Sequence, residues 1–136
     1  MQYKKIIHVV ENLDEAYGGP AKSVPNLANV MAKHGLDVKL MSLAWRDSEE
    51  NDLIEKNDLL WLRCKLYGPV RAGLSFDLLR ELKQHCVNGD VIIHLHNLWN
   101  GVSLICYVLA KKYKIPLVIS PRGSLYSWSL SQRKYR

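Results

Sequence analysis

No aspartate or glutamate follows Asp90. Residues 91–136 hold seven Lys/Arg and no acid, a net of +7, whereas residues 1–90 hold 12 Lys/Arg and 13 Asp/Glu, a net of −1. Such asymmetry points to an anionic partner: nucleic acid, a phosphorylated ligand or acidic lipid headgroups. A merely solvated basic face is the bland alternative. Cysteine is scarce too. Cys64, Cys86 and Cys106 are far apart and odd in number, with no CxxC pair. This excludes a disulfide framework and a zinc-ribbon site, and fits reduced thiols in cytosol. Long hydrophobic runs are missing. Ile6–Val10 is shorter than a secretory h-region of about 7–15 residues. Val102–Ala110 falls short of the roughly 20 residues that span a bilayer. Neither GxxxxGK[ST] nor GxGxxG occurs. No helix-turn-helix, RRM or KH signature supports nucleic-acid binding, and no internal repeat is visible.

What is present reads as one globular domain, 48% hydrophobic and 24% charged over 136 residues. Lys4–Val10, "KKIIHVV", is apolar enough for a buried parallel strand. Val24, Leu27, Ala28 and Met31 repeat at helical spacing, with Gly35 as a stop signal. Pro25 is tolerated there only near the first turn. Asp37–Leu43 and Leu59–Cys64 predict strands, and polar, acidic Arg46–Asp58 predicts a loop with a short helix. Ser75 can cap a helix through His85. Asp90–Leu95 reads as a strand, Val102–Tyr113 as a helix and Pro116–Ser120 as a short strand. The order β-α-β-β-α-β-α-β implies an α/β fold: a Rossmann-like, mainly parallel sheet with helices on both faces. Ligands of such folds bind at the carboxyl ends of the strands. Three segments fall there: "GGPAKS", "HNLWNG" and "SPRGSLYSW".

Each segment has a plain and a functional reading. Gly18 and Gly19 can form a simple turn. They can also form a loop that takes φ > 0 and lets a ligand approach a helix N-terminus, which attracts anions. His94 and His96, two apart on a strand, share a face. A metal would need further ligands, and no third His or Cys lies nearby in sequence. His94 reads as a packed strand residue, and His96, at the strand end, as the better ligand contact. Trp99 is either core or a flat platform for a ring-shaped substrate. Arg122 suits a phosphate unless it pairs with an acid, which would have to be distant in sequence.

The three segments in this order resemble the amino-terminal domain of the family 4 retaining glycosyltransferases, one half of a GT-B enzyme. "GGPAKSVPNLANVMAKHGLDVKLMSL" is similar to that family's Gly-Gly loop, first helix and entry to strand 2. "DVIIHLHNLWN" is similar to its fourth strand end, and "PLVISPRGSL" to its S-P-R/H-G segment. The likeness covers nearly all of residues 1–136. It implies retaining transfer of a hexose-type sugar from a nucleotide sugar to a glycan or lipid-linked acceptor in cell-surface polysaccharide synthesis. Metal and other cofactors are not expected. Gly18, Gly19 and Lys22 would border the donor's phosphates and sugar. Arg122 and His96 would be catalytic, and Asn97, Trp99 and Trp128 would meet the acceptor. Many relatives carry His where this chain has Arg122. Arginine stays protonated and cannot act as a base, so an orienting or charge-stabilising role is implied. The resemblance also implies a carboxy-terminal donor domain absent from these residues, hence a truncated, inactive half. The expected location is the cytoplasm, with possible docking on an anionic membrane and no nucleic-acid partner. A stand-alone nucleotide- or phosphate-binding Rossmann-like module is the alternative. The absence of GxGxxG and of an acid placed for a ribose weighs against it.

Overall fold

In a computed structural model, the structure describes residues 5–13, 19–44, 52–56, 59–66, 72–98 and 100–122, with single positions at 127 and 131. In chain order the elements are β1 (Lys5–Val10), α1 (Gly19–Lys33), β2 (Asp37–Ala44), β3 (Asp52–Lys56) and β4 (Leu59–Lys65). They are followed by α2 (Phe76–Cys86), β5 (Val91–His96), α3 (Gly101–Tyr113) and β6 (Leu117–Ser120). The sheet has six strands in the order β3-β4-β2-β1-β5-β6. Five of them run parallel, as β1 with β2 and β5, β2 with β4, and β5 with β6. This is the expected Rossmann-like α/β sheet, with one addition and two corrections.

The addition is β3, which pairs antiparallel with β4 from Asp52↔Arg63 to Lys56↔Leu59. The polar segment that predicts a loop with a short helix therefore contains an edge strand. The register leaves two residues, 57 and 58, between the strands. The first correction concerns Gly19. It opens α1, and the described glycines with positive φ are Gly35, Gly73 and Gly89. The second is Pro25. Because α1 begins at Gly19, Pro25 lies in the second turn, where it removes one i→i−4 hydrogen bond. It is buried, as are Ala21, Val24 and Ala28 of the same helix.

Both faces of the sheet are covered. Ile7, Val9, Met41, Leu43, Ile93 and Leu95 point one way and bury Leu78 and Leu82 of α2 and Val102, Cys106 and Leu109 of α3. Val10, Val38, Leu40 and Trp61 point the other way, against Val24 and Ala28 of α1. The three cysteines are buried and unpaired. Burial pushes the thiols of Cys64 and Cys86 up to about 12 and about 11, and that of Cys106 up as well, so all are packing residues. The predicted cap forms: Ser75 Oγ accepts from the Leu78 amide at 3.1 Å. Asn100 caps α3 likewise, accepting from Ser103 at 3.0 Å. No helix among the described residues is long and apolar enough to cross a membrane.

Strand order decides where a ligand can sit. From β1 the chain moves outward through β2 to β4. It then returns to the other side of β1 for β5 and β6. The order reverses between β1 and β5, and a crevice opens at the carboxyl ends of strands at such a switch point. The ends of β5 and β6 are joined there by the Asn97 amide, which donates to Ser120 O.

Candidate functional site

Three imidazoles line the switch point. The parallel register sets His8 of β1 beside His94 of β5, and Val10 beside His96. Side chains alternate along a strand, so all three rings project from the sheet face that α1 covers in part. The His94 and His96 rings stack with centroids 4.2 Å apart, and His8 lies 4.9 Å from the first and 5.2 Å from the second. His8 is missing from the sequence reading because it sits in an apolar run. Its 88-residue separation from His96 hides the pairing.

The contacts fix where the protons lie. Arg122 Nε donates to His96 Nδ1 at 3.0 Å. Guanidinium can only donate, so Nδ1 of His96 accepts and the neutral ring carries its proton on Nε2. That N–H faces His8 Nδ1 at 2.9 Å, which must accept in turn. The proton of His8 therefore sits on Nε2, which is buried and has no partner among the described residues. One directed chain runs Arg122 → His96 → His8. His94 stands beside it, bonded through Nε2 to Ser120 Oγ at 2.7 Å.

Burial holds the rings neutral, and neighbouring positive charge adds to the effect. His96 is pushed down to about 3, by burial first and then by His94, His8 and Arg122. His8 falls to about 4, and His94 is lowered as well. The unfolded chain takes up these protons below about 6.5, while the folded chain refuses them until pH approaches 4 or 3. Stability is then full above pH 6.5 and declines as pH falls toward 4. For His8 alone the loss reaches about 3 kcal/mol by pH 4. Urea midpoints taken at half-unit steps should drop across this window in the native protein and drop less in His8→Phe. Parallel curves for the two proteins would refute the assignment.

Arg122 is anchored at its other end by α1. Its Nη1 donates to Ser23 Oγ at 2.6 Å. No carboxylate pairs with it among the described residues. This guanidinium therefore bridges the end of β6, the end of β5 and the first turns of α1. Its backbone has φ 47°, and Asn97, just past β5, has φ 79°. Both lie in the left-handed region, which non-glycine residues occupy at a cost and which clusters at functional sites. The Asn97 amide donates to Ser120 O at 2.9 Å and ties the two strand ends together.

The sequence-derived residues thus divide. Arg122, His96 and Asn97 converge, and Ser23 draws the start of α1, with exposed Gly19 and Lys22, to the same end of the sheet. His96 is buried with both ring nitrogens engaged, so its contact is with Arg122 and His8. Gly18, Trp99 and Trp128 lie outside the described residues. A Cβ built on Gly19 would meet nothing within 4 Å, so that surface is open. Ser23 and Ser120 escaped the sequence reading because their partners are 99 and 26 residues away.

The third imidazole that sequence proximity lacks is supplied by His8, and one nitrogen from each ring lies within 4.8 Å of the others. The donor set nevertheless fits a cation poorly. A metal on His96 Nε2 would replace that ring's only proton while Arg122 still donates to Nδ1. The guanidinium repels a cation, and no carboxylate joins the three rings among the described residues.

A bridging arginine and an open helix start lie together at the switch point of a parallel sheet. A family model described as Glycosyltransferase Family 4 matches residues 17–136 and so includes every one of these positions except His8. No curated protein and no solved structure gives a significant match. On the strength of the family match, the chain belongs to glycosyltransferase family 4.

Proposed function

We propose that this domain works in retaining transfer of a hexose-type sugar from a nucleotide sugar to a glycan or lipid-linked acceptor. Arg122 is the group that steadies the diphosphate as it leaves. The carrying observation is the placement of that guanidinium. It is held at 3.0 Å by His96 and at 2.6 Å by Ser23, beside the first turn of α1, which contains no acid. A helix N-terminus and an arginine both favour developing negative charge. Positive charge from these groups takes the role that a metal ion fills in other phosphate sites. Gly19 and Lys22 border the donor, Asn97 the acceptor, and His96 acts by holding Arg122.

The test is turnover of the full-length protein with uridine and guanosine diphosphate sugars, with the anomeric configuration of the product read by NMR. Transfer with inversion, or no transfer with any donor, overturns the reading. Gly19→Val adds a local check. The position is helical and open, so the fold should lose no more than about 1 kcal/mol. The branched side chain would stand where the donor must approach, and kcat/KM should fall at least about tenfold. Unchanged kinetics would leave Gly19 as an ordinary helix start.

The acceptor side suggests an anionic membrane. Leu104, Tyr107 and Val108 are exposed on α3, and Lys111 and Lys112 extend the same helix, with Lys114 at its end. A helix of this kind suits an anionic bilayer, where each basic residue contributes about 1 kcal/mol. Co-sedimentation should be strong with anionic vesicles, weak with neutral ones and reduced by salt. Equal binding to both would remove the membrane from the proposal.

A further inference from the structure

We propose that His8 is a positioning residue for Arg122, acting at a distance through the tautomer of His96. The inference deepens the reading of Arg122 given above and rests on it for its functional meaning. Its own basis is geometric. Arg122 Nε needs a lone pair on His96 Nδ1. His96 offers that lone pair only while its proton sits on Nε2. The one described group that accepts from Nε2 is His8 Nδ1, at 2.9 Å. Without that acceptor, His96 would carry a buried, unpaired N–H. Moving the proton to Nδ1 would relieve this, but it would set two donors face to face and release the guanidinium. His8 thereby decides which way a side chain on another strand is held.

A second observation argues against His8 as ordinary core. It is fully buried, and its Nε2–H has no acceptor among the described residues. An unsatisfied buried donor is destabilising. Leucine or valine at this position, between Ile7 and Val9 in the same strand, would carry no such penalty. Groups that weaken a core without compensation are expected where function requires them. Arg122 also has φ 47°, a conformation that non-glycine residues occupy at a cost, so the backbone alone would not hold it in this pose. Its two side-chain bonds do, and one of them depends on His8.

The experiment reads geometry without a ligand, so it can fail while the transfer reaction stands, and the reverse. Long-range ¹H–¹⁵N NMR on the protein at pH 7 should show both His96 and His8 protonated on Nε2. The Arg122 Nε–H should exchange with water slowly. His8→Leu should speed that exchange about tenfold, as expected for one lost hydrogen bond, and move the His96 proton to Nδ1. His8→Asn should restore slow exchange, because its amide oxygen falls near the place of Nδ1. Unchanged exchange and tautomer in His8→Leu would overturn the proposal. If His8→Leu does not fold, the other two measurements decide. A proton on Nδ1 of either ring in the native protein overturns it, as does fast exchange in a folded His8→Asn.

Discussion

Arg122→Leu should lower transfer by two to three orders of magnitude while the domain stays folded. The loss estimate follows from the role. Removing one preorganised donor from a site of developing negative charge costs about 10²–10³ in kcat. Arg122 has no carboxylate to neutralise it among the described residues, so its full charge faces the crevice. The fold should survive because the side chain lies at the surface, bonded to an exposed serine and to one ring. Arg122→Lys separates charge from shape. Lysine keeps the positive charge but cannot span His96 and Ser23 together, since it presents one ammonium in place of a fork. Its activity should fall between the other two proteins. Steady-state kinetics and urea titration of all three decide the matter. A leucine variant with kcat within about threefold of the native enzyme would remove Arg122 from the chemistry.

The largest effect on stability should come from Gly101→Ala. Gly101 opens α3, directly after the Asn100 cap. A Cβ there would lie 2.5 Å from the carbonyl oxygens of both Ala72 and Gly73. These are backbone atoms, so no rotamer change clears them. Helix propensity favours alanine over glycine by about 1 kcal/mol. Overpacking against rigid neighbours costs about 1–3 kcal/mol and sometimes more. Two simultaneous clashes put this site at the upper end, so the clash wins by about 2 kcal/mol or more. Gly19→Ala is the control: also a first helical residue, but with open space around it. Its urea midpoint should stay the same or rise while that of Gly101→Ala falls. Equal midpoints would show that residues 72–73 yield at no cost.

Much of this architecture is readable in the chain. The apolar runs of β1 and β5, the Ser75 cap and the Leu78, Leu82, Cys86 stripe act locally, and local rules find them. Contacts across the sheet are harder. Nothing near His94 announces His8, because parallel pairing joins strands through long crossovers, and register exists only once the sheet is assembled. Ser23 falls within the GGPAKS motif, but nothing local gives it a role, since its partner is Arg122, just past β6. The β3 strand was hidden by its acidic surroundings, which favour a loop on composition. At Gly19 the residue type was informative but the inference from it was not. Glycine permits φ > 0 and does not require it; here the residue opens α1.

The reversal of strand order at β1 has a consequence for the order of events in folding. β1 can pair with β2 as soon as residue 44 has been synthesised, but its other edge stays open until β5 exists, some fifty residues later. For that interval the nascent chain carries a central, apolar strand with one unpaired side, the kind of edge that recruits other chains. At about 5–20 residues per second the interval lasts several seconds. β3 and β4 form a local hairpin and can wait for nothing, whereas the His8–His96 bond must follow the closing of the longest loop in the sheet. The site is thus among the last features to form, and a correctly held Arg122 reports that β1, β5 and β6 have come together with α1.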